Sequence, residues 1–538
     1  MERIRVYTRT PTGDYTNSLA NSAHFAIGGD GDFVPLNKNY GVLFAEGIID
    51  ERNVIVEKGL AKPQLFMVDE NTFGITALRV DKDGEIDTLC GERVLFWTTD
   101  DFIRFKSHGL VEKNDRRLLK HMAATEAMSD SDILKSENIL QSSSKVFHGE
   151  QSQDAPKSDF LFGARYSETA SDMVSITDEI AEKVRAHYFP EKHISNAATM
   201  HGKACQTAAS QSLQTDLENV SGCEHKTYGF PLAVGYADPV IFKWKRQYYF
   251  IATNDNTNAV GLYARESDTV EGLFDPDVRE HVILEYNEEK GFVQTFWAPE
   301  LHEIAGDIYV LFAVGGKRWS PQSYVMKLKK GGSIVNPNHW EGPIRVKKAD
   351  GTYLAEEGIT LDMTYFCADE RHYLSWSYRK GINSPTDTGS MLYIAEIDKN
   401  TPHILKSEPV LLSRPLYGWE NIQGTINNEG SFPLITENKI YLAYSGGAAG
   451  GYTYAIGLLS INRGGNCLNP DEWEKLPHPL LSYYSFPGEF GPGHNSFFLD
   501  ENGNTMIAYH AQQKMNRAPR CTAIRQVCFR ANGEPFVI

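Results

Sequence analysis

A fivefold repeat occupies the chain from Tyr228 onward and limits the available folds more than any other feature. In each repeat a polar residue opens an apolar run, a polar turn follows, and a second run rich in β-branched and aromatic residues returns. This is the pattern of a β-hairpin. The five hairpins are ADPVIFKWKRQYYFIATN, APELHEIAGDIYVLFAVG, LDMTYFCADERHYLSWSYR, NEGSFPLITENKIYLAYSGG and GHNSFFLDENGNTMIAYHAQ.

The spacing of these hairpins predicts the fold. Their opening polar residues are Asp238, Glu300, Asp362, Glu429 and His494, at intervals of 62, 62, 67 and 65 residues. Each interval has room for four strands, and strand-like runs such as VGLYARES and YAIGLLSI lie between the hairpins. Four-stranded units at this period are typical of a β-propeller. We therefore predict an all-β fold in which 225–538 form a five-bladed β-propeller.

Propeller geometry predicts that these five polar residues meet. The innermost strands of all blades begin at the same end of a central channel, so residues at equivalent repeat positions converge on one axis. One polar residue at the start of a strand is ordinary, but five at the same position of the repeat indicate that the mouth of the channel is a functional site.

The first 224 residues divide into two further regions. Residues 1–115 are β-rich and resemble a blade in which Lys62-Pro63 stands where Asp238-Pro239 stands in the repeats, so we expect a degenerate propeller-like or accessory domain there. Residues 116–224 are polar and read as a linker or insert. Within it, ITDEIAEKVRAHYF carries apolar side chains at helical spacing after Thr177, which predicts one short amphipathic helix with Thr177 as its N-cap.

Composition limits the classes of molecule that this protein is expected to bind. A net charge of −17 disfavours nucleic acid and anionic membranes, which attract basic surfaces. Aromatic residues make up 11% of the chain and offer faces for sugar rings. The seven cysteines lack metal-ligand spacing. The N-terminal stretch has no apolar segment typical of a secretory leader, and no run of about 18 apolar residues occurs, which predicts a cytoplasmic protein unless a leader was removed.

Paired carboxyl groups in one funnel suit glycoside hydrolysis. Hydrolysis with inversion needs one carboxylate to deprotonate water and a second, protonated carboxyl to donate to the leaving oxygen, about 6.5–9.5 Å away. Carboxyl groups from different blades can meet that requirement. The proton donor has to keep its proton near neutral pH, which burial and a neighbouring negative charge achieve by raising its pKa.

The motifs YADPVIF, ITLDMTYF and NNEGSF, in this order and spacing, resemble those of glycoside hydrolase family 43 over roughly 228–538. The resemblance implies an exo-acting enzyme of the α-L-arabinofuranosidase or β-xylosidase type that acts on a carbohydrate. It implies Asp238 as general base, Asp362 as the residue that tunes the acid and orients the sugar, and Glu429 as general acid. One departure is Ser431, because the family usually has Gly-Pro after the acid.

Other residues are candidates for binding. Trp297 and Trp419 could stack on a sugar, Glu300 could contact substrate or accept backbone hydrogen bonds, and the resemblance implies that Arg520 reaches the pocket. For His494 the resemblance implies a structural Ca²⁺ on the propeller axis, although histidine is an atypical calcium ligand. No cofactor is expected to be required.

Two other functions compete with this hypothesis. Related five-bladed propellers that transfer fructose or retain configuration expect Asn before the aspartate and Cys after the acid, whereas Ala237 and Gly430 stand there. A carbohydrate-binding propeller without activity is the alternative outside enzymes. The sequence has all three carboxyl groups that catalysis would need, which argues against a protein without activity.

Overall fold

The computed structural model describes residues 2–29, 32–113, 115, 118, 166–167, 173–190, 226–422, 426–530 and 532–538. The chain divides into two compact units, 1–48 with 57–195 and 49–56 with 196–538. Strands dominate both units, so the all-β prediction is confirmed. Most of the linker or insert predicted over 116–224 lies outside the described residues.

The first unit contains two antiparallel sheets. One has β1 (Arg3–Arg9), β2 (His24–Gly29) and β3 (Asp32–Pro35), with β10 (Tyr166–Ser167) and β11 (Met173–Ser175) pairing β1. The other has β6 (Lys58–Met67), β7 (Phe73–Asp81), β8 (Arg93–Thr99) and β9 (Lys106–Glu112). β4 (Ile48–Ile49) pairs with β5 (Ile55–Val56), and 49–56 of this pair belong to the second unit. Buried Ile4, Phe25, Leu60 and Trp97 contribute to one shared core.

Two α-helices lie among the described residues of this unit. They are α1 (Asn17–Ala20) and α2 (Asp178–Tyr188). Thr177 caps α2 by accepting a hydrogen bond from Ile180 N at 3.3 Å, and Val184 and Tyr188 are buried. The predicted helix and its N-cap are therefore confirmed. Neither helix has the length and apolar character that crossing a bilayer requires.

The second unit contains five antiparallel sheets in chain order. The first sheet contains β13 (Tyr236–Trp244), β14 (Gln247–Asn254), β15 (Leu262–Ser267) and β16 (His281–Leu284), and the second contains β17 (Gln294–Ile304), β18 (Asp307–Gly315), β19 (Gln322–Leu328) and β20 (Trp340–Arg345). The third sheet contains β21 (Ile359–Ala368), β22 (Arg371–Arg379), β23 (Met391–Ile397) and β24 (Val410–Ser413), and the fourth contains β25 (Asn428–Ile435), β26 (Lys439–Gly446), β27 (Ala455–Asn462) and β28 (Glu474–Lys475). The fifth sheet contains β29 (Phe490–Leu499), β30 (Thr505–Gln512) and β31 (Arg520–Phe529), and β12 (Ala233–Val234) and β32 (Pro535–Val537) both pair with β31.

The first strands of these five sheets contact one another in a cycle. β13 contacts β17, β17 contacts β21, β21 contacts β25, β25 contacts β29, and β29 contacts β13. β12 also pairs with β31, so a strand from the start of the unit completes its last sheet. The five sequence repeats therefore correspond to five sheets, and the first strand of each sheet contacts the first strand of the next.

Each of these first strands contains a β-bulge at the same place. The pairing register shifts there, and a residue at the shift takes a positive φ: Asp238 (53°), Ala298 (46°), Asp362 (55°), Gly430 (58°) and His494 (48°). β17 and β29 each contain a second shift with a second such residue, Thr295 (56°) and Gly491 (63°). A bulge inserts an extra residue and re-aims the side chains beside it. The sequence pattern predicted all five polar residues at equivalent positions of the repeat, and the structure corrects this for two of them. Glu300 lies two residues after the bulge position of its strand, and Glu429 lies one residue before the bulge position of its strand.

The first unit repeats this feature once. In β6 the register shifts between Ala61 and Gln64, and Lys62 has a φ of 50°. Lys62 is therefore the structural counterpart of Asp238, as the sequence comparison predicted, and it presents an amine where the second unit presents a carboxyl group.

Candidate active site

Three acidic side chains come together from three different sheets. Asp238 lies on β13, Asp362 on β21 and Glu429 on β25, and each is more than nine-tenths buried. Negative charge on Asp238 and Glu429 reaches Asp362, and that on Asp238 reaches Glu429. The three acids that the sequence singled out therefore share one chamber, which we call the carboxyl chamber.

Asp238 is surrounded by donors and positive groups. Its Oδ2 accepts a hydrogen bond from Thr253 Oγ1 at 2.6 Å. Its Oδ1 lies 3.3 Å from His494 Nδ1, 3.2 Å from His510 Nδ1 and 3.5 Å from Arg520 Nη1. Burial favours protonation, but the two imidazoles and the Arg520 guanidinium outweigh it and hold the pKa of Asp238 well below its ordinary value. Asp238 is therefore ionised at neutral pH.

Sequence reasoning did not identify His510. The ring is fully buried on β30, where Nδ1 accepts a hydrogen bond from the backbone N–H of Asp238 at 3.2 Å and Nε2 lies 3.1 Å from the Ala449 carbonyl. A carbonyl only accepts, so Nε2 carries the hydrogen. His510 thus positions the bulge that carries Asp238. Its only signal in the sequence is that it closes the last hairpin.

Arg520 lies in the carboxyl chamber, as predicted, and a second carboxylate holds it there. Its Nε and Nη2 bind Asp255 at 2.9 and 2.7 Å, while Nη1 faces Asp238 Oδ1. This two-point contact fixes the plane of the guanidinium. Asp255 was also missed by sequence reasoning, although it directly follows the hairpin that begins at Asp238.

Glu429 and Asp362 have pKa values shifted upward. Burial and the charge of Asp238 raise the pKa of Glu429 to about 7, although a hydrogen bond from Tyr454 Oη to Glu429 Oε1 at 2.9 Å opposes the rise. Burial and the charges of Glu429 and Asp238 raise the pKa of Asp362 well above its ordinary value. Since two buried carboxyl groups beside an ionised third resist losing both protons, this pair holds a proton near neutral pH.

His494 occupies the bulge of the last sheet, as its place in the repeat predicted. Its ring packs on Gly430, where an added Cβ would lie 2.9 Å from the imidazole. Burial lowers the pKa of His494, which favours the neutral ring. No three His, Cys, Asp or Glu side chains of the described chain are arranged to hold a metal ion. The calcium at His494 stays a prediction.

The structure corrects one predicted substrate contact, Trp419, and places a second candidate, Glu300, against a histidine. Trp419 is 0% exposed and its Nε1 donates to the Pro477 carbonyl at 3.0 Å, so the indole packs in the interior and cannot stack on a sugar. Glu300 is 2% exposed, and its Oε2 lies 2.7 Å from His302 Nε2. Its place two residues beyond the bulge turns it into the interior, where its charge still reaches Asp362.

Trp297 is the aromatic candidate that remains. It is half-buried, directly precedes the bulge residue Ala298, and packs beside Leu361, the neighbour of Asp362. Its ring meets that of Trp319, which is 45% exposed, at 6.3 Å and 67°. The two indoles form an aromatic surface next to the strand that carries Asp362.

Comparisons with known proteins agree on one family. A model described as "Glycosyl hydrolases family 43" matches residues 231–535. "Alpha-L-arabinofuranosidase B" of Pyricularia oryzae is 29% identical over 325 residues, covering 57% of this chain and 62% of that protein. The "Extracellular exo-alpha-(1->5)-L-arabinofuranosidase" of Streptomyces avermitilis is 30% identical over 320 residues, covering 57% and 63%. The matches thus span a little over three fifths of these two relatives.

Two further matches cover a larger share of the protein that this chain resembles. The protein of the same name from Streptomyces chartreusis is 31% identical over 290 residues, covering 53% of this chain and 83% of that one. The crystal structure of alpha-L-arabinofuranosidase from Lactobacillus brevis superposes with a TM-score of 0.51 at 28% identity, covering 57% of this chain and 95% of that one. Both matches cover just over half of this chain.

Proposed function

This chain belongs to glycosyl hydrolases family 43, and from that premise we propose that its second unit is an inverting, exo-acting glycoside hydrolase. It removes a terminal pentose, an α-L-arabinofuranosyl residue, from plant-type oligosaccharides and polysaccharides. The observation that carries this proposal is the pair of opposite pKa shifts in the carboxyl chamber, where Asp238 is ionised while Glu429, with a pKa of about 7, keeps its proton.

We propose a five-bladed β-propeller as the fold of this unit. Its support is the five consecutive sheets and the cycle of contacts among their first strands. In a propeller each innermost strand begins at the same mouth of the channel. That arrangement accounts for the meeting of Asp238, Asp362 and Glu429 although long stretches of chain separate them.

The proposed reaction assigns one role to each carboxyl group. Asp238 takes a proton from a water molecule, whose oxygen attacks the anomeric carbon of the terminal sugar. Glu429 gives its proton to the glycosidic oxygen as the bond from that oxygen to the anomeric carbon breaks. Attack opposite the leaving group inverts the anomeric configuration. Asp362 keeps the pKa of Glu429 high and orients the sugar, and Arg520 stabilises the charge of Asp238.

The choice of sugar rests on the relatives. Those reported above are named as arabinofuranosidases, and two are named as exo-acting enzymes on (1->5) linkages. β-Xylosyl groups are the second candidate. Trp297 beside the carboxyl chamber supplies an apolar face on which a sugar ring can stack.

The cytoplasmic location predicted from the sequence finds no support. Two of the relatives are named extracellular enzymes. We propose that this protein likewise acts outside the cell, where plant-type polysaccharides are met.

The decisive experiment combines turnover and stereochemistry. The full chain is assayed with 4-nitrophenyl α-L-arabinofuranoside and the corresponding β-xyloside, and ¹H NMR records the anomer released first. We expect arabinose to be released as its β anomer. Asp238→Ala should lower kcat on the nitrophenyl glycoside, and Glu429→Gln should lower kcat on α-1,5-arabinobiose, whose leaving group needs protonation, each by at least about a hundredfold. Release of the α anomer would refute inversion, and unchanged turnover in either variant would refute the assigned roles.

A further inference from the structure

One buried tyrosine binds the proposed acid. Tyr454 directly precedes β27 and is fully buried, and its hydroxyl donates to Glu429 Oε1 at 2.9 Å. Its ring stacks on that of His510 with centroids 5.4 Å apart and planes inclined by 11°. Because His510 positions Asp238, the stacked rings of Tyr454 and His510 lie beside both the proposed base, Asp238, and the proposed acid, Glu429.

The hydrogen bonds around Tyr454 run in a fixed direction. The backbone N–H of His494 donates to Ser445 Oγ at 2.7 Å, and Ser445 in turn hydrogen-bonds the Tyr454 phenol. A backbone N–H can only donate, so the hydrogen of Ser445 is free to point at Tyr454 and that of Tyr454 at Glu429. Burial raises the pKa of Tyr454 well above its ordinary value, and the hydroxyl therefore keeps its hydrogen.

A glycine on the neighbouring sheet makes room for this ring. A Cβ on Gly493 would lie 2.0 Å from Tyr454 Cδ1, far inside any allowed contact. The ring therefore fills the space that the missing side chain leaves on β29, next to the bulge at His494. Its position is set by packing on two sides and by the hydrogen bond to Glu429.

We propose that Tyr454 is a positioning residue for the general acid. A neutral carboxyl group has one oxygen that carries hydrogen and one that accepts, and the donor at Oε1 makes that oxygen the acceptor. The proton for transfer therefore sits on Glu429 Oε2, and the orientation of the carboxyl group is fixed before substrate arrives. This inference rests on the proposed function.

Other charged groups also face Glu429 and have to be accounted for in a test. Asp238 raises the pKa of Glu429, while Arg379 and Arg520 lower it, and Asp362 is coupled to the same titration. Tyr454 differs from these groups because it donates directly to one oxygen of Glu429. Its removal leaves the four charges in place, so a changed titration reports the lost hydrogen bond.

The test measures kcat/KM against pH for the full chain and for Tyr454→Phe. Two arabinofuranosides are compared, the 4-nitrophenyl glycoside, whose leaving group needs little protonation, and α-1,5-arabinobiose, whose leaving group needs full protonation. We expect the alkaline limb of the variant to move up by about one pH unit, because the ionised acid loses a hydrogen bond. Activity on arabinobiose should fall about tenfold to a hundredfold, and activity on the nitrophenyl glycoside clearly less.

Tyr509→Phe is the matched control. It too removes a hydrogen bond from a buried tyrosine to a buried glutamate, here Glu489. It should change thermal stability without moving the pH profile or the ratio of the two substrates. If Tyr454→Phe does not fold, Ser445→Ala replaces it, with a smaller shift in the same direction.

The outcomes separate this inference from the proposed function. The proposed function is overturned if the full chain is inactive, or if Glu429→Gln is as active as the full chain on α-1,5-arabinobiose. If those controls behave as expected, but Tyr454→Phe and Ser445→Ala keep the pH profile and the substrate ratio of the full chain, only the positioning role of Tyr454 is overturned.

Discussion

At the scale of single residues, the carboxyl chamber separates two acids by their surroundings. Asp238 lies beside a guanidinium, two imidazoles and a threonine hydroxyl, whereas Glu429 is buried beside a tyrosine and other carboxyl groups. One side chain is therefore ionised and the other protonated, although their chemistry is alike. This difference lets a base and an acid work at the same pH.

The pH dependence of kcat/KM follows from these surroundings. Glu429 has to be protonated, so activity should fall as the pH rises through about 7, the pKa of that carboxyl group. Asp238 has to be ionised, and its lowered pKa puts the acidic limb well below pH 4. Initial rates at low substrate concentration from pH 4 to 9 check this. Activity that stays constant up to pH 9 would contradict the assignment of Glu429.

The contact between Asp255 and Arg520 predicts a second effect on activity. Asp255→Asn removes the negative charge that fixes the guanidinium beside Asp238, so kcat/KM should fall about tenfold to a hundredfold. Asp307→Asn is the control, because Asp307 pairs with Lys327 at a half-exposed position away from the carboxyl chamber. Equal activity of both variants would mean that Asp255 does not position Arg520.

At the scale of secondary-structure elements, the bulge in each first strand determines which way the side chains point. Asp238, Asp362 and His494 occupy the bulge itself, while Glu429 directly precedes its bulge. Hydrophobic alternation predicts strands but does not reveal an inserted residue. Relative to the bulge, three residues separate the position of Glu429, which enters the carboxyl chamber, from that of Glu300, which contacts His302.

The close packing of β29 against Tyr454 gives a prediction for this element. Gly493→Ala places a Cβ where the Tyr454 ring lies, so it should destabilise the protein by about 1–3 kcal/mol and lower activity together. Gly229→Ala is the control, since nothing lies within 4 Å of its added Cβ. Thermal denaturation and arabinofuranoside turnover check both variants. A normal melting temperature and full activity for Gly493→Ala would contradict this packing.

At the scale of the whole molecule, the pairing of β12 with β31 joins the beginning of the second unit to its end. Gly235 N donates to the Arg520 carbonyl at 2.8 Å, so this pairing also positions the strand that carries Arg520. Val234 lies opposite Cys521 in the register. The completion of the last sheet and the geometry of the carboxyl chamber are therefore coupled through a short edge strand.

The pairing of β12 with β31 predicts a cross-link. In Val234→Cys, oxidation should join residues 234 and 521, because opposed residues of paired strands lie within the range that a disulfide spans. The link closes a long loop and should raise the melting temperature. Peptide mapping by mass spectrometry detects the cross-link. The double variant Val234→Cys, Cys521→Ser supplies the control, and failure of the single variant to cross-link would contradict the pairing.

The sequence by itself determined the strands, their grouping into five repeats and the acids at their starts. It also determined the helix after Thr177 and the equivalence of Lys62 with Asp238. These features follow from local patterns, namely hydrophobic alternation, turn residues and capping, which are written in neighbouring positions. The carboxyl groups were found because they recur at a fixed place in a repeat.

Only the tertiary structure decided which side chains face the carboxyl chamber. Tyr454, His510 and Asp255 reach it from outside the strand starts, and Trp419 turns away from it into the interior. Their positions depend on the bulges and on packing between sheets distant in the chain. The same is true of the opposite pKa shifts of Asp238 and Glu429, because burial and charge at a point in space are set by residues that no local pattern connects.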